Sequence, residues 1–219
     1  MAKITDITGV LYNGMWNYEY PFPELNMRPL PKVEWVNDTV YCDIFDGLHS
    51  QSGTYLETPA HVLGDKSYPL IDVPIEKLVD IDVRIIKLEG FDINGERKPI
   101  TREMLETADV EEGISVLISC NWGRHWRDPR YLSASPYFEK EAMDYLISKK
   151  PFLLGTDFAR WENLEKPQGF FADFYNSDIL MLAPVVNLEQ IKKDRALLSA
   201  LPLNIEKTCC APCRAYIKE

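Results

Sequence analysis

Gln51-Ser-Gly-Thr-Tyr-Leu-Glu-Thr-Pro-Ala-His61 is the stretch on which the reading of this chain turns. Positions 51, 53, 55 and 57 alternate with a period of two, which places Tyr55 and Glu57 on one face of an extended segment. Gly53 permits a positive φ or a close backbone approach, and Pro59 stiffens the exit. His61 then ends a rigid, polar, one-sided segment, as a catalytic group does. An imidazole exchanges a proton near neutral pH. Glu57, four residues earlier, can orient it or act as its acid–base partner.

The same stretch carries a resemblance. It is similar to the His-x-Gly-Thr-His-x-Asp-x-Pro-x-His signature of the cyclase family that includes bacterial kynurenine formamidase and isatin hydrolase. Gly53, Thr54, Pro59 and His61 match it. Other segments resemble the family along nearly the whole chain: Ile4–Thr8 with Gly14-Met15, Val116–Gly123, Leu154–Asp157, Val185–Leu188 and Ala211–Ala215. The resemblance implies a central, barrel-like mixed sheet flanked by helices, self-association as a homodimer or homotetramer, and a proton-transfer role for His61. It also implies divalent metal at five positions, held here by Gln51, Tyr55, Glu57, Phe174 and Val186. Only Glu57 is a conservative replacement. The expected cofactor is therefore none. Gln51 and Tyr55 would hydrogen-bond a substrate carbonyl in the space of the metal. The alternative is one divalent ion, such as zinc or manganese, on a relocated site of His49, Glu57 and His61. Tyr18 stands where the family has an aromatic lining the substrate pocket.

Composition narrows the partners. The net charge of −10 repels nucleic acid, and no concentrated Lys/Arg stripe offsets it. No apolar run approaches the roughly 18 residues that span a bilayer. Met1-Ala-Lys-Ile leads straight into strand-like sequence, so no signal peptide and a cytoplasmic protein are expected. There the five cysteines would mostly be reduced thiols. Cys209, Cys210 and Cys213 read as buried or half-buried thiols on a strand, or else as metal or redox ligands. Cys120 reads as a small hydrophobe, or else as a catalytic thiol.

The 219 residues suit a single α/β or α+β domain over 1–219, with an aromatic, proline-rich N-terminal arm at about 16–35. Residues Tyr20–Pro31 form an ordered, extended part of that arm. It lines a site, or packs its aromatics on the body or a second subunit. Apolar runs predict strands at Val83–Leu88, Ser115–Cys120, Phe152–Gly155 and Ile179–Leu182. Helices are predicted after Thr101, from Ser135-Pro136 onward, and over Leu188–Leu201.

Trp122-Gly-Arg-His-Trp126 is a second polar–aromatic cluster. Arg124 can take a substrate carboxylate bidentately, while Trp122 and Trp126 stack on a planar ring. The other reading is a surface turn with its tryptophans packed on the body. Asp157 ends a strand and braces the adjoining loop, or contributes to the pocket. The leading functional reading is metal-independent acid–base catalysis by His61 and Glu57 on a small, planar amide, ester or lactone. Arylformamidase-like hydrolysis and ring opening or closing both fit. Two alternatives stand beside it: a mononuclear metallohydrolase, and a non-catalytic ligand-binding or regulatory protein on the same fold.

Overall fold

The computed structural model of the protein describes residues 2–31 and 42–219. Twelve strands follow in chain order: β1 (Ile4–Asp6), β2 (Asn26–Pro29), β3 (Asp43–Asp46), β4 (Tyr55–Glu57), β5 (Ile81–Lys87), β6 (Pro99–Ile100), β7 (Ser115–Ser119), β8 (Tyr137–Phe138), β9 (Leu153–Thr156), β10 (Leu180–Ala183), β11 (Arg195–Pro202) and β12 (Cys210–Lys218). Four short helices lie among them: α1 (Ala60–Leu63), α2 (Arg102–Glu106), α3 (Lys140–Ser148) and α4 (Phe171–Asn176).

Seven strands close into a barrel in the order β12-β11-β5-β7-β9-β10-β4 and back to β12. The pairs β5–β7, β7–β9 and β9–β10 are parallel, and the others are antiparallel. The four predicted apolar runs became β5, β7, β9 and β10. Parallel strands are covered on both faces, so they read as continuous apolar sequence. One edge of β12 is shared, with β4 on residues 210–212 and β1 on residues 216–218.

The two faces of the wall pack differently. Val83, Ile85, Leu117, Leu182, Leu198 and Ala215 belong to the barrel interior. Ile86, Val116, Ile118, Leu154 and Met181 belong to a second core outside it, with Met143 and Leu146 of α3 and the rings of Trp122 and Trp161. Alternation along each strand separates the two sets.

Three boundaries differ from the sequence reading. Leu188–Leu201 is not a helix: a turn of 3₁₀ helix at Leu188–Gln190 is followed by β11. Its buried apolar residues Ala196, Leu198 and Ala200 alternate into the barrel interior, and pairing with β5 and β12 fixed the strand. Helix α3 starts at Lys140 rather than at Ser135-Pro136, because Tyr137-Phe138 first pairs with β6. Helix α2 begins at Arg102 after Thr101 but ends at Glu106. In the arm, β2 pairs with β3 as a two-stranded ribbon. Arm positions from 32 onward lie outside the described residues.

Gly155 sits between Leu117 and Leu182 in register. A Cβ there would meet a Leu117 methyl at 2.5 Å and the Leu182 carbonyl oxygen at 2.7 Å. The methyl can move, but the backbone carbonyl cannot. Gly155→Ala is therefore expected to cost about 1–3 kcal/mol by overpacking. Urea unfolding checks this, and an unchanged midpoint would contradict the interior packing described.

Candidate active site

Strand β4 positions the site. Leu56 points into the barrel, so its neighbours Tyr55 and Glu57 point out. Glu57 pairs with Met181 on one side and Cys210 on the other, which puts all three on the same outer row. Gly53 precedes the strand at φ +70°, with Leu11 packed where a side chain would begin. Thr54 fixes the approach: its hydroxyl donates to the Pro184 carbonyl at 2.6 Å and accepts from Gly9 N–H at 2.9 Å.

The chain does not stay extended as far as His61. It turns at Pro59 into α1, and that turn brings the ring back over Glu57. His61 Nδ1 lies 3.4 Å from Glu57 Oε2. Glu57 is only 1 % exposed. Its Oε2 also accepts from Gln51 Nε2 at 2.9 Å, and its Oε1 accepts from the Tyr175 hydroxyl. Burial raises the carboxyl above its usual range, against the opposing pull of His61, Tyr175 and Gln51. Donors on both oxygens suit the ionised form.

The same ring nitrogen of His61 also meets a thiol. Cys209 Sγ lies 3.8 Å from His61 Nδ1 and 3.8 Å from Cys210 Sγ. The contact with Cys209 raises the His61 pKa, and Glu57 adds to it against burial. Hydrogen bonding from Cys210, then from His61, pushes the Cys209 thiol down to about 4. Cys210, bonded to Cys209 and buried beside Glu57, moves up. The two neighbouring thiols thus shift in opposite directions, Cys209 down and Cys210 up.

A cavity of about 340 Å³ opens beside this row. Tyr18, Gln51, Tyr55, Glu57 and His61 line it, all five read from the sequence. The Tyr18 and Tyr55 hydroxyls are 3.0 Å apart, and Tyr18 also donates to the Ala159 carbonyl. Phe22 reaches the cavity from the arm, and Trp161, Phe171 and Tyr175 complete an aromatic wall.

Other predicted residues are elsewhere. The buried Trp122 indole donates to the Tyr131 carbonyl at 3.0 Å, and exposed Arg124 turns to His125 Nε2 at 2.9 Å. Neither lines the cavity, because the strand-end turn packs its tryptophans inward. Asp157 organises that turn, accepting from Ser119 Oγ, Cys120 N–H and Trp122 N–H at 2.7–2.9 Å. Burial pushes its carboxyl up to about 6. Buried Cys120 is likewise outside the cavity wall, and burial raises its thiol.

The five inherited ligand positions do not fit a metal. Phe174 packs on Trp161, ring centres 5.4 Å apart, and Val186 closes over Gly123. Neither carries a donor. His49 does not join Glu57 and His61 as the relocated site requires; its ring lies against Phe22, 4.9 Å between centres. Among the described residues the group of three metal-capable donors is instead His61, Cys209 and Cys210, within 4.8 Å of one another.

Sequence reasoning missed Cys209 beside His61, the Tyr175 hydroxyl and Arg160. Arg160 lines the cavity, and its Nε is buried without a hydrogen-bond partner among the described residues. One signal was available: Cys209-Cys210 leads into the family-like closing strand, which pairs with β4.

Comparison with known proteins agrees with this fold. The cyclase family model, described as "Putative cyclase", matches residues 5–163. Isatin hydrolase of Roseibium aggregatum is 25 % identical over 98 % of this chain and 90 % of its own length. An isatin hydrolase bound to the product analogue thioisatinate superposes with a TM-score of 0.84 at 21 % identity, over 100 % of this chain and 92 % of that one. A potential metal-dependent hydrolase with cyclase activity gives 0.77 at 19 % identity, over 100 % and 98 %.

The pairing has a direct spectroscopic consequence. The His61 ring should titrate above the ordinary value of about 6.5, and Cys209→Ala should lower that pKa. Histidine NMR across pH resolves three rings, His49, His61 and His125. An unchanged His61 titration in the variant would refute the contact.

Proposed function

Because this chain belongs to the cyclase family, we propose that it is a hydrolase that cleaves or opens a small, planar ester, lactone or amide by acid–base chemistry of its own side chains. The observation that carries this reading is the contact of the buried Glu57 carboxylate with His61 in the wall of an aromatic cavity. A cavity of this volume, apolar with a few convergent polar groups, suits a one- or two-ring ligand. The relative's name, isatin hydrolase, fits a cyclic amide in such a space.

Each polar group has a role. His61 takes and returns the proton, and Glu57 holds and orients the imidazolium. Glu57 itself is held by Gln51 and Tyr175. Tyr55 lines the cavity beside Tyr18, and its hydroxyl would have to turn from Tyr18 to donate to the developing oxyanion. Arg160, in the cavity wall with its guanidinium near Glu19, supplies a cation for a carboxylate elsewhere on the substrate. With no donor at the Phe174 and Val186 positions, activation falls to the protein's own groups.

A second reading is favoured by one observation, the convergence of His61, Cys209 and Cys210. Two thiolates and an imidazole are a known catalytic zinc set. That arrangement would make His61 a ligand instead of a proton carrier.

The test is a panel of aryl esters, aryl-fused lactones, formamides and isatin. His61→Ala should lower kcat on the best substrate by about two to four orders of magnitude while leaving the circular dichroism spectrum unchanged. Arg160→Ala should remove any preference for substrates bearing a carboxylate. Full turnover by His61→Ala would place the chemistry elsewhere.

A further inference from the structure

Neither Cys209 nor Cys210 lines the cavity, yet both sulfurs stand beside a ring that does. Cys209 Sγ lies 3.8 Å from His61 Nδ1 and 3.8 Å from Cys210 Sγ, and one donor atom from each of the three residues falls within 4.8 Å of the others. A tetrahedral zinc ion has bonds of about 2.3 Å to sulfur and about 2.0–2.1 Å to imidazole nitrogen, which sets its ligand atoms about 3.8 Å apart between sulfurs and about 3.6 Å apart between sulfur and nitrogen. Two of the three edges are therefore already close to the length the ion requires. The third closes by a small turn of the exposed His61 ring.

The backbone holds this arrangement. Thr58 N–H donates to the Cys209 carbonyl at 2.8 Å, and the Thr58 carbonyl accepts from His61 N–H at 3.1 Å. Cys210 pairs with Glu57 in the register of β4 and β12. Residues 148 positions apart thus hang on one short frame. Cys213 belongs to the barrel interior and takes no part. Two sulfurs and an imidazole suit zinc, whereas magnesium and manganese prefer oxygen donors. The exposed ring and the half-buried Cys209 give the ion a way in from solvent.

We propose that His61, Cys209 and Cys210 bind one zinc ion, and that the bound ion inhibits the enzyme. The proposal rests on the acid–base reading of His61. An ion on Nδ1 leaves the neutral ring its proton on Nε2, so no nitrogen is free to take another from water or substrate. It also displaces the contact at 3.4 Å through which Glu57 orients the ring. Glu57 keeps Gln51 and Tyr175 as partners. Because neither sulfur lines the cavity, the ion stands off the space of the substrate and does not polarise its carbonyl. The two thiol protons pass to solvent as the sulfurs bind, and no bond to carbon forms or breaks. Zinc thus acts against turnover, opposite in sign to a catalytic ion on the same donors.

The experiment uses zinc and cobalt chlorides on the full chain after dialysis against a chelator, with magnesium and manganese as controls. Calorimetry should give one zinc per chain. Cobalt should produce a near-ultraviolet thiolate charge-transfer band and the visible bands of a tetrahedral ion. Zinc should move the His61 ring signals in the NMR spectrum and leave those of His49 and His125 in place. With p-nitrophenyl acetate as substrate, saturating zinc should lower turnover by about two orders of magnitude or more, as loss of the general acid–base group does. Chelator should restore it, and magnesium and manganese should do nothing. Cys209→Ser and Cys210→Ala, each checked by thermal unfolding, should weaken zinc by more than the about 10–100-fold that loss of an outer-shell partner costs. Each should escape inhibition relative to its own ion-free rate. Absence of the cobalt–thiolate band, or zinc affinity unchanged in both cysteine variants, overturns the site and leaves the acid–base reading standing. Zinc that binds with full turnover, while His61→Ala has lost turnover, overturns the inhibition alone. Zinc that raises turnover overturns both in favour of a catalytic ion. Equal turnover by the ion-free protein and His61→Ala overturns the acid–base reading and the inhibition with it.

Discussion

The structure depends on the inversion at three residues of β4. Leu56 fills the barrel and Tyr55 and Glu57 leave it, while the same three residues bond to β10 and β12 and so close the sheet. A strand with a period of two cannot supply the core residue without presenting its neighbours outward. Closure and site are thus one event. A one-residue slip would drive Glu57 into an interior lined by leucine, valine and alanine, at the cost of burying an unpaired charge. The donors from Gln51, Tyr175 and His61 make the outward position tenable. They also hold the carboxylate rigidly, as a group that orients an imidazole must be held.

The alternation in 51–61 was readable because strand periodicity is a local property, and all five residues taken from it and from Tyr18 line one cavity. The parallel half of the barrel was readable from its doubly covered apolar runs. Asp157 was readable as a brace because a carboxylate at a strand end has backbone amides within reach. What failed was of another kind. Over Leu188–Leu201 the apolar spacing fits a helix as well as a strand, so pairing partners far along the chain decided it. The Trp122–Trp126 turn carries groups suited to a substrate, but packing drew the indoles inward and left Arg124 with His125. Cys209 was named as a possible ligand, but its place beside His61 was not legible, for a physical reason. Only the β4–β12 seam brings it to His61, and no local pattern encodes that register.

The scaffold is kept while two of the ligand positions have lost their donors. Ring packing at Phe174 and the close approach of Val186 to Gly123 have turned ligand positions into core. Polar contacts now lie along the outer wall in their place: Tyr175 on Glu57, with Glu57 and Cys209 both facing His61 Nδ1. Such contacts set protonation states through burial and neighbouring charge rather than through an ion. Gln51 and Tyr55 both have polar contacts of their own in this wall. One secures Glu57, and the other faces the cavity from a hydrogen-bonded pair of phenols.

The central claim is that the chain's own side chains carry the reaction. Elemental analysis of active protein after exhaustive dialysis against a chelator, with turnover measured on the same sample, tests it most directly. The account predicts zinc and manganese far below one equivalent per chain and turnover equal to that of the untreated protein. About one equivalent of retained ion, with turnover lost when it is stripped and restored when it is returned, would contradict it.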